Sequence, residues 1–141
     1  MKKLFFILSC LFLCCSCKEQ VVTPAQVLTI GKADFIHKIE AQDDFVFLVT
    51  RSQCEYCDQL LNMIEVTKYD HELQIFHLEM RDDTIEHLNE DIDFLKQYVE
   101  RPDQTPHYYY IEDGEVIADQ MGYTSLNPER FWDWAEILGL D

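Results

Sequence analysis

Phe45-Val46-Phe47-Leu48-Val49-Thr50-Arg51-Ser52-Gln53-Cys54-Glu55-Tyr56-Cys57 is the stretch on which the reading of the chain turns. The run from Phe45 to Thr50 is apolar almost throughout, which predicts a central strand covered on both faces. A helix is expected from about Cys54 to Val66, with Leu60, Leu61 and Ile64 on its inner side. The two cysteines therefore stand where a buried strand hands over to a helix. The first amides of a helix lack intrahelical partners and carry the positive end of its dipole, so they stabilise a thiolate at Cys54. A thiolate facing a second thiol one turn along is equipment for disulfide exchange.

Outward from this stretch, the pattern alternates strands and helices. Val27 to Ile30 reads as a short first strand, and Gly31 to Ala41 as a helix with Phe35, Ile36 and Ile39 at helical spacing. Gln74 to Leu78 is a further strand. Residues 84–100 form an amphipathic helix carrying Leu88, Leu95, Tyr98 and Val99, with Thr84 as its N-cap. After Gln104-Thr105-Pro106 comes the strand His107 to Ile111. The turn Glu112-Asp113-Gly114-Glu115 tolerates positive φ and leads into a returning strand, Val116 to Met121. A closing helix has Asn127 as N-cap, Pro128 in first position, Glu129 in the first turn and Gly139 at its end. The order β-α-β-α-β-α-β-β-α predicts an α/β fold with a mixed central sheet flanked by helices. Trp132 and Trp134, two apart, predict one inward and one partly exposed indole, and Tyr108-Tyr109-Tyr110 should alternate between core and sheet surface.

The first residues read as an export signal. Lys2 and Lys3 precede an apolar run from Leu4 to Cys15, about a dozen residues where a membrane helix needs roughly 20. The run ends in Cys14-Cys15-Ser16-Cys17, which resembles the lipobox of bacterial lipoproteins. That resemblance implies a signal peptide over residues 1–16, lipidation at Cys17, a tether over 17–25 and a folded domain over 26–141. Cys10 is a second candidate with a shorter apolar core, and ordinary signal cleavage or an uncleaved anchor stay open. The implied location is the extracytoplasmic face of a bacterial membrane, or a secreted or periplasmic one without the lipid. Of six cysteines only Cys54 and Cys57 then belong to the folded part. An oxidising compartment permits their disulfide, and so small a loop makes a poor structural staple.

The chain holds 27 acidic and 11 basic residues. Loss of residues 1–16 removes Lys2 and Lys3 and no acid, so the net charge moves from −16 to −18. Such a surface repels nucleic acid and anionic lipid head groups; the acids are spread along the chain and read as a solvated surface. His37, His71, His77, His87 and His107 share no spacing and read as surface or packing residues, with His107, next to Pro106, the one placed to reach the cysteines. A zinc site takes four ligands, and a single CxxC pair is present. No metal or other cofactor is expected beyond a redox-active Cys54–Cys57 disulfide.

Taken together, the strand-then-CxxC of Phe45–Cys57, Thr105-Pro106 before a strand, and the Asp113-Gly114 hairpin with its closing helix resemble the thioredoxin superfamily. The resemblance covers about residues 26–139. The string Phe45–Cys57 is also similar to small Gram-positive thioredoxin-like lipoproteins, among them bacteriocin transport accessory proteins. The resemblance implies a thioredoxin-like fold in which Cys54 is the attacking thiolate and Cys57 the buried resolving thiol. Pro106 would be a cis-proline facing the pair, an uncommon bond that marks a tight turn; an ordinary trans proline opening a strand is the alternative. Thr105 would offer its backbone to a substrate strand, with Tyr56 and Glu55 lining the same groove. The implied partners are protein or peptide disulfides and a membrane electron donor, met by a monomer.

The departures matter too. Thioredoxins carry a buried aspartate six residues before the first cysteine, a tryptophan just before it and Gly-Pro inside the motif; this chain has Leu48, Gln53 and Glu55-Tyr56. Glu55 disfavours a thiolate at Cys54 unless Arg51 folds over the site. That pushes the pair toward a reductant rather than a strong oxidant. The expected function is a membrane-tethered, extracytoplasmic thiol–disulfide oxidoreductase. The rival is a non-enzymatic accessory module whose groove, lined by Tyr56 and Thr105-Pro106, holds an exported peptide.

Overall fold

In a computed structural model, which describes residues 23–141, the run Phe45–Arg51 is strand β2, the middle of a five-stranded sheet. The other strands are β1 (Gln26–Thr29), β3 (Gln74–Met80), β4 (His107–Glu112) and β5 (Glu115–Met121), in the order β1-β3-β2-β4-β5. β1, β3 and β2 are parallel; β4 and β5 are antiparallel to their neighbours. The helices are α1 (Lys32–Glu40), α2 (Glu55–Thr67), α3 (Ile85–Leu95) and α4 (Arg130–Ile137). The expected leader of residues 1–16, the lipidation candidate Cys17 and the expected tether of 17–25 as far as residue 22 lie outside the described residues. The chain enters β1 through Ala25, whose amide donates to the carbonyls of Lys68 (2.9 Å) and His71 (2.8 Å) just beyond α2.

Strand alternation explains why β2 is apolar throughout. Val46 and Leu48 enter one core with Leu60, Met63 and Ile64 of α2, Tyr108, and Phe131, Trp132 and Trp134 of α4. Phe45, Phe47 and Val49 enter the other with Phe35 of α1, Leu78, Met80, Leu95, Tyr109 and Ile111. Each such side chain, once buried, contributes roughly 1.5–3 kcal/mol. Tyr108 and Tyr109 are thus both fully buried, on opposite faces, rather than alternating with a solvated surface. Both tryptophans are buried as well. The Trp132 indole N–H donates to Thr67 Oγ1 (2.8 Å) and its ring stacks on His71, while Trp134 meets Tyr108 edge-on.

Two helix ends differ from expectation. α3 stops at Leu95, not near residue 100: the amides of Tyr98 and Val99 both donate to the Leu95 carbonyl (2.9 Å each). The tightened turn lays Tyr98 edge-on to Phe35 at 5.4 Å and buries Val99. α4 starts at Arg130, because Asn127 to Arg130 closes a separate turn and the Asn127 amide reaches Asp133 instead of capping. Its end is as expected, with Gly139 at φ 71° and its amide on the Glu136 carbonyl. In the β4–β5 turn, Asp113 and Gly114 both have positive φ. A side chain on Gly114 would come within 2.7 Å of the Ile39 carbonyl at the end of α1.

One acid proves to be no part of a solvated surface. Asp91 on α3 is 2% exposed and accepts from the Arg81 amide (2.7 Å) and guanidinium (2.6 Å), with Lys32 of α1 also paired to it. Burial alone would raise this carboxyl, but the Arg81 and Lys32 hydrogen bonds outweigh it and hold it at about 2. The folded value lies below the unfolded one of about 3.9, so the cluster stabilises the fold above that range and stops doing so as pH falls toward 2. Arg81 is half-exposed and solvent-screened, so the contribution is about 1–2 kcal/mol. Denaturant melts between about pH 5 and pH 2 should show stability falling, with Asp91→Asn removing about that share of the fall. An unchanged pH slope in the variant would refute the assignment.

Candidate active site

β2 and β3 leave the sheet side by side, which places the loop after β3 next to the one before Cys54. There the Asp82 carboxylate accepts from the Ser52 hydroxyl and from the Gln53 amide (2.9 Å). The Ser52 bond first, then the Gln53 amide and the Arg51 charge, hold Asp82 below the usual carboxylate range. The Ser52–Gln53 loop is thereby fixed directly ahead of the first cysteine. Asp82→Ala should speed hydrogen exchange at the Gln53 amide while α2 stays protected; equal exchange would show that the carboxylate does not hold the loop.

Cys54 is the N-cap of α2, with extended backbone at φ −129°. Its carbonyl accepts from the amides of Cys57 (3.0 Å) and Asp58 (3.1 Å), and the Cys57 amide also lies 3.2 Å from the Cys54 sulfur. One amide of the first turn, that of Cys57, thus reaches the sulfur as well as the carbonyl. Cys54 and Cys57 form a disulfide, and they differ in access: 9% exposed against 1%.

Thr105 and Pro106 face this pair from the start of β4, joined by a cis peptide bond. The Thr105 hydroxyl donates to the Cys54 sulfur at 3.5 Å, and the Thr105 carbonyl oxygen lies 3.7 Å from the same atom. A disulfide sulfur has no hydrogen to give, so the second approach is a contact only. The Pro106 carbonyl accepts from the Gly122 amide (2.7 Å), which ties the turn to the end of β5.

Tyr56 is 58% exposed beside the pair, and Glu55 is exposed with its carboxylate on the Gln59 amide (3.0 Å). Arg51 continues the Phe47–Val49 side of β2, and its charge acts on Asp82. His107 does not join the cysteines. Its ring is fully buried on the Tyr109 side, with Nδ1 at the Arg101 carbonyl (3.1 Å) and Nε2 at Asp119 (2.7 Å). Sequence reasoning missed Asp82 and a buried Thr50–His77 pair. The parallel pairing of β2 with β3 was the signal that could have found both.

The sheet order, the disulfide at the head of α2 and the Thr105–Pro106 turn opposite it define the thioredoxin fold. Thioredoxin f2 of Chlamydomonas reinhardtii superposes with a TM-score of 0.57 at 12% identity, over 82% of this chain and 99% of that one. A thioredoxin of Trypanosoma brucei brucei gives 0.57 at 13% identity, over 82% and 93%. Thioredoxin O2 of Arabidopsis thaliana, in its oxidized state, gives 0.51 at 16%, over 79% and 93%. At such identities the likeness is one of fold. No protein-family model and no curated protein matches the chain.

Proposed function

We propose that this protein is a thiol–disulfide oxidoreductase that works as a reductase from a lipid anchor at Cys17 on the extracytoplasmic face of a bacterial membrane. One observation carries the chemistry: a disulfide at a helix N-terminus whose outer sulfur, that of Cys54, meets Thr105 while its inner partner Cys57 is sealed. In the reduced protein, the Cys54 thiolate attacks a substrate disulfide and expels one substrate thiolate. Cys57 then attacks the Cys54 sulfur, the bond to substrate breaks, and the second substrate sulfur leaves as a thiol. Two electrons pass to the substrate, and the Cys54–Cys57 disulfide awaits a membrane electron donor. Tyr56, Glu55 and Thr105 form the rim that a protein or peptide substrate meets. Glu55, next to Cys54 in the chain, and Asp82, bonded to the Gln53 amide one residue before it, put two carboxylates by the site and disfavour a thiolate there, which supports reduction over oxidation. The anchor rests on Cys14-Cys15-Ser16-Cys17, and the narrower kinship with small Gram-positive thioredoxin-like lipoproteins on the string Phe45–Cys57.

The deciding experiment is the redox equilibrium of the Cys54–Cys57 pair against dithiothreitol and glutathione. A midpoint near or below about −230 mV is expected, and one near about −120 mV would reverse the direction. A pair that does not cycle would leave a non-enzymatic module that holds an exported peptide in the same groove.

A further inference from the structure

The α2-facing side of the sheet holds a polar pair, Thr50 and His77, outside the exchange site. Along β2 this side reads Val46, Leu48, Thr50, and the inward side of α2 reads Cys57, Leu60, Ile64. β2 runs toward Cys54 and α2 runs back from it, and Leu60 and Ile64 share one core with Val46 and Leu48. Cys57, one turn earlier on the buried side of α2, lies toward the end of β2 that carries Thr50. His77 of β3 pairs in register with Leu48, and its Nε2 is 2.7 Å from Thr50 Oγ1. Thr50 is 1% and His77 6% exposed; the other buried polar side chains among the described residues, Asp91 and His107, pack on the opposite face.

We propose that the Thr50–His77 pair is the internal acceptor for the Cys57 proton when that thiol resolves a mixed disulfide, with His77 a positioning residue that acts through Thr50. The proposal rests on the exchange reading above. Cys57 is sealed from water, and burial disfavours its thiolate. Its proton needs a nearby base; Leu48 supplies no carboxylate, and Glu79, in register with Thr50, is exposed to solvent.

The surroundings of His77 are nearly free of charge. β2 presents Leu48 and Thr50, and β1 presents Thr29 alongside it. α2 presents Cys57 among apolar residues, with Asp58 exposed in its first turn, and α4 presents aromatic rings. β4 contributes Tyr108, whose phenol burial keeps protonated, and β3 itself carries the exposed Glu79 two residues on. Burial lowers the His77 pKa from the usual histidine value, so the ring is neutral at neutral pH and free to accept a proton.

In the step itself, Cys57 S–H gives its proton to Thr50 Oγ1, which passes its own to His77 Nε2. The Cys57 thiolate then bonds to the Cys54 sulfur, and the Cys54–substrate bond breaks. Its electron pair leaves on the substrate sulfur, which takes a proton and departs as a thiol while His77 returns to neutral. Thiol and mixed disulfide become disulfide and thiol, with no other reactant.

The test uses the reduced full-length protein with oxidised glutathione as the probe, quenched at intervals and read by mass spectrometry between roughly pH 5 and pH 9. Two rates are compared: formation of the Cys54–glutathione adduct and its resolution. In Thr50→Val and His77→Gln the ratio of resolution to formation at pH 7 should fall about tenfold or more, with the resolution profile moved to higher pH. Thr50→Ser should restore both. If His77→Gln fails to fold, the near-isosteric Thr50→Val with its serine rescue decides alone. Equal ratios and unmoved profiles in folded variants would overturn the relay while leaving exchange at Cys54 intact. Absence of any glutathione adduct in the unaltered protein would overturn the exchange reading, and the relay with it.

Discussion

Cys54→Ser should remove disulfide exchange altogether, by on the order of a thousandfold or more, while the fold survives. Serine keeps the N-cap position and its hydrogen bond to the first turn, so α2 has no reason to unravel. A neutral hydroxyl is no nucleophile toward a disulfide, and Cys57, 1% exposed, cannot take over the attack. Loss of the disulfide costs little stability, since it spans only three positions of sequence. Cys57→Ser should behave oppositely. Cys54 still attacks, but no second thiol follows, so substrate stays bound as a mixed disulfide visible by mass spectrometry. An active Cys54→Ser protein would sink the mechanism, as would a Cys57→Ser protein that turns over normally.

The largest structural effect is expected at Phe35. It is fully buried and the one buried residue of α1, stacked on Phe47 at 4.3 Å and edge-on to Phe45, Phe94 and Tyr98. α1 is nine residues long, well short of the roughly 12–15 at which isolated helices become even marginal, so its docking depends on this ring. Phe35→Ala opens a cavity that four other rings cannot all relax into, and should cost about 3–5 kcal/mol. That is a large share of a domain stability of about 5–15 kcal/mol. Urea unfolding followed by tryptophan fluorescence reads it directly, because Trp132 and Trp134 lie in the opposite core and report global unfolding. A loss below about 1 kcal/mol would mean that α1 is held by something else.

The order of elements was readable because β2 carries its own statement of burial: a strand apolar on both faces belongs in the middle of a sheet covered by helices. Cys54 and Thr105 meet although 51 positions separate them, and a sequence shows that meeting only through a resemblance. Asp91 was invisible for the same kind of reason. It stands in Asn89-Glu90-Asp91-Ile92-Asp93, a stretch that reads as solvated, and the cations that hold it come from α1 and the end of β3. Tyr98 and Val99 keep the helical spacing of α3 and are largely buried, yet the backbone has already left the helix. Periodicity reports which side chains go inward, not the hydrogen bonds that bring them there. Both indoles of α4 found burial because two elements, α2 and β4, flank that helix, and a single-face pattern allows for one.

The parallel run of β1, β2 and β3 gives the molecule two unlike poles. The chain comes in at one pole, where Ala25 is fastened to the turn after α2, and Cys54 stands at the other, beyond the last residue of β2. About seven strand residues at roughly 3.3 Å each set them on the order of 20 Å apart. A chain moored through its first residues is therefore held by its base, with the reactive sulfur at the tip. Under the anchorage proposed at Cys17, that tip faces away from the lipid surface, toward substrates met end-on.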